Sequence, residues 1–220
     1  GTLGSMTNSL RQIADDLYET RTDSPVPGLT THAYLWTRPE GNLLFYSPAS
    51  DADFDAIDRL GGVAHQYLSH EDEAGPNLTA IQQRFGSWLH VPAAETATIG
   101  KHAHIDVEIA AVRHIDDNGI DIIPTPGHSP GSTSYLVTGR DGQTYLFTGD
   151  TVFPSGNGRW ATYVDKEGGD PGALTNSLKL LAELRPDVVI SSAFGGPTAV
   201  EEVSAHDWSR HVTEALDTVA

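Results

Sequence analysis

Between residues 105 and 148 four apolar runs, IDVEIA, IDIIPT, TSYLVT and TYLFT, are separated by the turn-forming stretches DDNG, GHSPGS and GRDGQ. Short apolar or alternating runs bounded by Gly, Pro, Asn and Asp read as strands, so the middle of the chain is strand-dense. Helical periodicity takes over on either side. DADFDAIDRL reads as a capped helix, PNLTAIQQRFG carries Pro in its first turn and Gly at its end, and DPGALTNSLKLLAEL is strongly amphipathic. NSLRQIADDLYET (8–20) places apolar residues at helical spacing behind an Asn/Ser cap and predicts an opening helix. VEEVSAHDWSRHVTEALDTV predicts a closing one. THAYLWT and NLLFYS around the turn RPEGN predict a hairpin, and GGVAHQYL, WLHV and DVVISS predict further strands. Short helices and strands at both ends of a strand-dense centre bury their apolar faces best as two sheets face to face, with helices outside.

No linker, low-complexity tract or fixed-period repeat interrupts the pattern, which predicts one domain over 6–220. Residues 1–5, GTLGS, read as an expression scar ahead of Met6. A composition of 38% hydrophobic and 20% charged residues suits a globular protein. With no run of about 18 apolar residues and no basic, apolar leader, no membrane association is expected, and the cytoplasm is the expected location. Thirty acidic against 13 basic residues give a formal charge of −17. Phosphate-backbone binding needs clustered Lys and Arg, so nucleic acid is not an expected partner. Solubility is the plainer reading of the acidity. The absence of Cys excludes disulfides, thiolate nucleophiles and Cys-ligated zinc or iron–sulfur sites. A small-molecule substrate is the expected partner, and the sequence leaves the oligomeric state open.

Three loops at strand ends each carry one metal-competent side chain: His70 after VAHQYLS, His128 in PTPGHSPGS and Asp150 in LFTGD. Singly, each reads as a turn residue. Together, two imidazoles and a carboxylate suit Zn²⁺, Fe²⁺ or Mn²⁺. TPGHSPGSTSYL followed by YLFTGDTVF, with His128 and Asp150 separated by 22 residues, resembles the metallo-β-lactamase-fold superfamily, which includes glyoxalase II-like thioesterases, lactonases and persulfide dioxygenases. The resemblance runs over nearly the whole chain. It implies an α/β fold, an αββα sandwich of two mixed β-sheets flanked by helices, with the site along the top edge of the sheets.

The departures from the family pattern decide what such a site holds. The family's His-x-His-x-Asp-His loop corresponds here to His70-Glu71-Asp72-Glu73-Ala74-Gly75, and Phe194 in SSAFGG falls where a late His is usual. On the resemblance, every ligand private to the family's second ion is replaced, by Ala74, Gly75 and Phe194, none of which offers a donor side chain. One divalent ion is therefore expected at His70, Asp72, His128 and Asp150, with zinc first and iron or manganese as alternatives. Asp72 either coordinates directly or acts through water or a ligand it orients.

A single Lewis-acidic ion implies hydrolysis of a small ester, thioester or lactone. Two carboxylate ligands weaken that acidity, so slower turnover is expected than from a neutral-ligand site. The family's water-orienting Asp corresponds to Ala74, leaving Glu71 and Glu73 as the candidate catalytic bases, although a solvated acidic loop is the plainer reading. In SGNGRW, Arg159 and Trp160 are candidate substrate contacts, set against a Gly-rich turn with Trp160 as a core plug. His102 and His104 read as a surface pair, His32 and His65 as packing residues, and His206 and His211 as solvated or partly packed. Two other readings stay open. His70, His128 and Asp150 alone would form a two-His-one-carboxylate face, as in the single-iron persulfide dioxygenases that resemble this chain there. Alternatively, the chain is a degenerate, non-catalytic binding member.

Overall fold

The structure is a computed structural model that describes residues 10–21, 23–26 and 29–219, with side chains described for 10–21 and 31–219. The stretch read as an expression scar lies outside the described residues. In chain order, β1 (Arg11–Ala14) and β2 (Leu17–Glu19) form a hairpin, β3 (Asp23–Val26) and β4 (Leu29–Thr31) a small ribbon, and β5 (Tyr34–Trp36) and β6 (Leu43–Phe45) the expected hairpin around RPEGN. There follow α1 (Phe54–Arg59), β7 (His65–Tyr67), α2 (Asn77–Phe85), β8 (Trp88–Pro92), α3 (Thr96–Ile99) and β9 (Val107–Ile109). The strand-dense centre supplies β10 (His114–Ile115), β11 (Asp121–Pro124), β12 (Thr133–Thr138) and β13 (Thr144–Gly149). The chain closes with β14 (Phe153–Pro154), β15 (Trp160–Ala161), α4 (Pro171–Ala182), β16 (Val188–Ser191), β17 (Ala193–Phe194), β18 (Val200–Glu202) and α5 (Ala205–Leu216).

Seven strands in the order β1-β2-β5-β6-β7-β8-β9 make one sheet, antiparallel up to β6 and parallel beyond it. Six in the order β10-β11-β12-β13-β16-β18 make the other, parallel only where β13 meets β16. Aromatic rings fill the space between the sheets, with Phe45 stacked on Phe147 at 4.0 Å between centroids and flanked by Tyr67 and Tyr135. A fully buried side chain of this kind contributes about 1.5–3 kcal/mol over an exposed one. Leu68, Leu78, Leu89, Val91 and Ile99 join α2 and α3 to the outer face of the first sheet. Leu174, Leu178, Trp208 and Val212 bury α4 and α5 against Leu146 and Val189 of the second. The layers are helix, sheet, sheet, helix. Among the described residues no helix is long and apolar enough to cross a membrane.

Two expected helices differ. Residues 11–19 form the β1–β2 hairpin because Asp16, buried at its turn, accepts hydrogen bonds from Trp36 Nε1 (2.9 Å), Tyr145 OH (2.8 Å) and Arg140 N (2.7 Å). Burial pulls its carboxyl upward, yet these donors hold it below the usual range. Leu10, Ile13 and Leu17 satisfy a helical period, but long-range bonding outweighs that local preference. The closing segment starts as β18, and α5 begins only after Ser204, whose hydroxyl caps Asp207 N while Asp207 reaches back to Ser204 N.

What positions the site is the stitching at one end of the sandwich. Tyr46 OH donates to Ile190 O (2.7 Å) and accepts from Gly149 N (2.9 Å), tying the end of β6 to the second sheet. Tyr135 OH donates to Leu68 O (2.5 Å), and Thr133 N donates to Ser69 O (3.0 Å). Gly149 has φ +57, and a Cβ there would lie 2.3 Å from Ser69 Oγ. Only glycine lets the end of β13 come that close to the loop after β7.

Candidate metal centre

His70, at the carboxyl end of β7, and His128, in the loop after β11, are both buried. Their Nδ1 atoms are committed. His128 Nδ1 lies 2.8 Å from Tyr163 O, and a carbonyl can only accept, so that nitrogen carries the hydrogen. His70 Nδ1 lies 2.9 Å from Ser69 Oγ. The Ser69 hydroxyl hydrogen is already donated to the Glu73 carboxylate, whose other oxygen accepts from Ser69 N at 2.6 Å. Ser69 Oγ is thus the acceptor toward His70, and Nδ1 again carries the hydrogen. In each neutral ring the lone pair falls on Nε2, the form that binds a metal. Both Nε2 atoms are buried and lack a hydrogen-bond partner.

The two orphaned nitrogens face two carboxylates. His70 Nε2 is 3.1 Å from Asp150 Oδ2 and 3.7 Å from Asp72 Oδ2, while His128 Nε2 is 3.7 and 3.9 Å from the same two oxygens. One donor atom from each of the four residues lies within 4.8 Å of all the others. Asp150, after β13, has its second oxygen held by Ala193 N at 3.2 Å. Asp72, on a 3-10 turn (Glu71–Glu73), is the solvent-facing member, with 58% of its side chain exposed.

The electrostatics favour a cation at this point. Burial pulls the His70 pKa down, but the charges of Asp150 and Glu73 carry it well above the ordinary imidazole value. Burial likewise pulls His128 down, and the neighbouring Asp72 more than offsets it, leaving this ring above its ordinary value too. Asp150 is held low against burial, chiefly by His70, and Asp72 is held low chiefly by His128. Two neutral imidazoles and two carboxylates aimed at one point, with two buried lone pairs otherwise wasted, fit a divalent ion. Among the described residues this is the one group of three or more His, Asp or Glu whose donor atoms converge in this way.

Beside it opens a cavity of about 520 Å³, lined by His70, Asp72, Glu73 and Asp150 together with Thr31, His32 and the loops 47–49, 74–77 and 192–193. Ala74 and Gly75 are part of its wall, whereas Phe194 is buried and stacked on His32 with 5.6 Å between ring centroids.

The two candidate bases part company. Glu73 spends both oxygens on Ser69, with one of them 3.3 Å from His70 Nδ1, on the side of the ring away from the converging lone pair. Glu71 is part-exposed on the same turn and does not line the cavity.

The expected substrate contacts at Arg159 and Trp160 are corrected. Trp160 is buried in the helical layer, stacked on His211 at 4.6 Å and edge-on to Trp208, so packing claims the ring. Arg159 is exposed and leans toward Glu214, 3.9 Å away. Neither lines the cavity. His32 is a packing residue as expected, although it also reaches the cavity wall, and His102 and His104 sit in a surface loop.

Sequence reasoning missed Ser69, the orienting use of Glu73 and the Tyr163 carbonyl. The Ser-His-x-x-Glu spacing around His70 carried a usable signal for the first two. A backbone carbonyl carries none.

A model of the metallo-beta-lactamase superfamily matches residues 53–193. A hydroxyacylglutathione hydrolase of Mesorhizobium japonicum is 38% identical over 109 residues, covering 47% of this chain and 40% of that protein. One of Aeromonas salmonicida is 28% identical over 189 residues, covering 76% and 63%. The chain thus spans 40% to 63% of the length of these two relatives. Among solved structures, a metallo-beta-lactamase from Pontibacter korlensis matches with a TM-score of 0.70 at 14% identity, over 96% of this chain and 97% of that one. BJP-1, a subclass B3 metallo-beta-lactamase of Bradyrhizobium japonicum, does so with 0.70 at 14%, over 99% and 95%. At that identity the solved structures speak for the fold alone.

Proposed function

The chain belongs to the metallo-β-lactamase superfamily, and from that premise we propose that it is a hydrolase using one divalent ion, held by His70, Asp72, His128 and Asp150, to cleave a small ester, thioester or lactone. The observation that carries this reading is the pair of buried, unpartnered Nε2 atoms facing two carboxylates. A single ion is favoured because Ala74, Gly75 and Phe194 offer no donor toward a second.

When bound, such an ion supplies a Lewis acid that polarises a carbonyl and lowers the pKa of water from about 15.7 to roughly 7 in favourable zinc sites. The chain's own residues do the rest. The Glu73–Ser69 pair and the Tyr163 carbonyl fix the tautomer and ring plane of His70 and His128. Asp150, anchored by Ala193 N, presents one oxygen and withholds the other. Asp72 closes the set from the solvent side, and as the acidic side chain of its turn with the greatest access to water it is placed to exchange protons at the mouth. Glu73 acts as a positioning residue in this scheme, and Glu71 stays outside it.

Metal analysis of protein purified without chelator, combined with turnover of simple esters and thioesters, tests the reading. About one equivalent of zinc or manganese with metal-dependent hydrolysis is expected. Two equivalents, or metal-loaded protein that hydrolyses none of these, would overturn it. The partial exposure of Asp72 favours one second reading, in which His70, His128 and Asp150 hold iron on three sides and hydrolysis is replaced by oxygen chemistry. Stoichiometric iron would mark that case.

A further inference from the structure

We infer that the cavity beside the metal group takes substrates whose portion beyond the reacting carbonyl is uncharged or cationic, and turns away those that carry a carboxylate there. The inference rests on the hydrolase reading and adds a substrate class to it.

The cavity's charged lining is of one sign. Asp72, Glu73 and Asp150 supply three carboxylates, so even with a divalent ion in place the wall keeps a net negative charge. The rest of the lining, His32 apart, is small and uncharged, mixing Pro48, Ala49, Ala74, Gly75, Pro76 and Ala193 with the polar Thr31, Ser47, Asn77 and Ser192. None of the 13 Lys and Arg residues lines it. The segments whose side chains are not described, 1–9, 22–30 and Ala220, contain no Lys, Arg or His, so they add no cationic side chain. Arg21, which precedes one of them, is held by Asp53 through its backbone N (2.9 Å) and its Nε (3.1 Å).

His32 is the remaining basic group on the wall away from the metal set. Its Nδ1 faces Thr20 O at 2.8 Å and its Nε2 lies 3.8 Å from Glu19 Oε1, so any charge it gains is answered from within the protein. A ligand carboxylate placed here would lose water without gaining a cationic partner, and would face like charge across a few ångströms. An apolar or ammonium-bearing group meets neither obstacle.

Three hydroxamic acids of matched length share one metal-binding head and differ only at the tail: butyrohydroxamic acid (methyl), succinic monohydroxamic acid (carboxylate) and 3-aminopropanohydroxamic acid (ammonium). Titration calorimetry on the zinc-loaded protein at low salt should rank the carboxylate probe roughly ten- to thirtyfold weaker than the methyl probe. The gap should narrow in high salt, and the ammonium probe should bind at least as tightly as the methyl one. Ala49→Lys, at an exposed wall position, should recover about tenfold for the carboxylate probe alone. Equal or tighter binding of the carboxylate probe by the unaltered protein would overturn the inference, as would binding of none of the three. The hydrolase reading fails separately, when the methyl probe binds normally and neutral esters are not turned over. Protein that takes up no zinc overturns both.

Discussion

Glu73→Gln is the sharpest probe of the site, because the substitution keeps shape and removes one acceptor. Glu73 is buried and accepts from both Ser69 N (2.6 Å) and Ser69 Oγ. A carboxamide has one oxygen, so it can serve only one of these donors. If Ser69 N keeps the oxygen, the amide NH₂ faces Ser69 Oγ and the hydroxyl must turn its hydrogen to His70 Nδ1. That forces the ring hydrogen onto Nε2, the atom that should face the ion. If Ser69 Oγ keeps the oxygen, a buried backbone N–H loses its partner at a cost of about 1–3 kcal/mol. Either way the effect should lie within the roughly 10- to 100-fold loss of metal affinity typical of residues that orient a ligand, or about 1.4–2.7 kcal/mol. Competition with a chromophoric chelator measures it directly, with Glu71→Gln as the matched control. Glu71→Gln should change affinity less than twofold, since its side chain lies outside the cavity and away from Ser69. Equal losses in the two variants, or a larger one at Glu71, would refute the assignment of Glu73 as the residue that sets the His70 tautomer.

Other consequences are equally open to measurement. His128→Ala should abolish stoichiometric metal binding while the far-ultraviolet circular dichroism stays unchanged, if the ring is the ligand proposed above. Tyr46→Phe leaves Gly149 N–H and Ile190 C=O short of a bond and should cost about 1–3 kcal/mol, seen as a fall in Tm of roughly 3–10 °C. His90, buried with Nε2 2.8 Å from His65 Nδ1, has its pKa pushed by burial down to about 4. The unfolded chain, titrating near 6.5, binds the proton first, so this stabilisation is present above about pH 6.5 and falls away toward pH 4, by about 3 kcal/mol. In urea unfolding the stability of wild type minus that of His90→Gln should stay constant above pH 6.5 and fall by about 3 kcal/mol toward pH 4, and a difference that does not change with pH would refute it. Trp160→Ala should destabilise by about 3–5 kcal/mol and Arg159→Ala by less than about 0.5 kcal/mol, read from urea midpoints.

The four candidate ligands were legible because each sits in a loop where chemistry and turn geometry restrict the residue types: His70 after a strand, His128 among glycines and prolines, Asp150 after Thr-Gly. The two-sheet fold was legible from the strand-dense centre. The opening hairpin was not, because Leu10, Ile13 and Leu17 fit a helical period, and the deciding bonds to Asp16 come from Trp36, Arg140 and Tyr145, far away in sequence. Trp160 and Arg159 misled for a related reason. A glycine-rich turn near a ligand looks like a substrate loop, and only the tertiary stack of Trp160 on His211 shows that the ring is spent on packing. Glu73 was recognised as important but given the wrong direction, since an acidic side chain one turn from a ligand can face either side of its ring.

The stitching by Tyr46 and Gly149 has a further consequence for how such a protein can change. The candidate donors His70, His128 and Asp150 hang from loops at strand ends that are sewn to one another across the sandwich, whereas the cavity segments 47–49 and 74–77 take no part in the Tyr46 and Gly149 bonds. Replacements at 47–49 or 74–77 can therefore recast which molecule is admitted without displacing the candidate ligands. Mutational drift should accumulate on the loop side of the chamber and stall on the strand side.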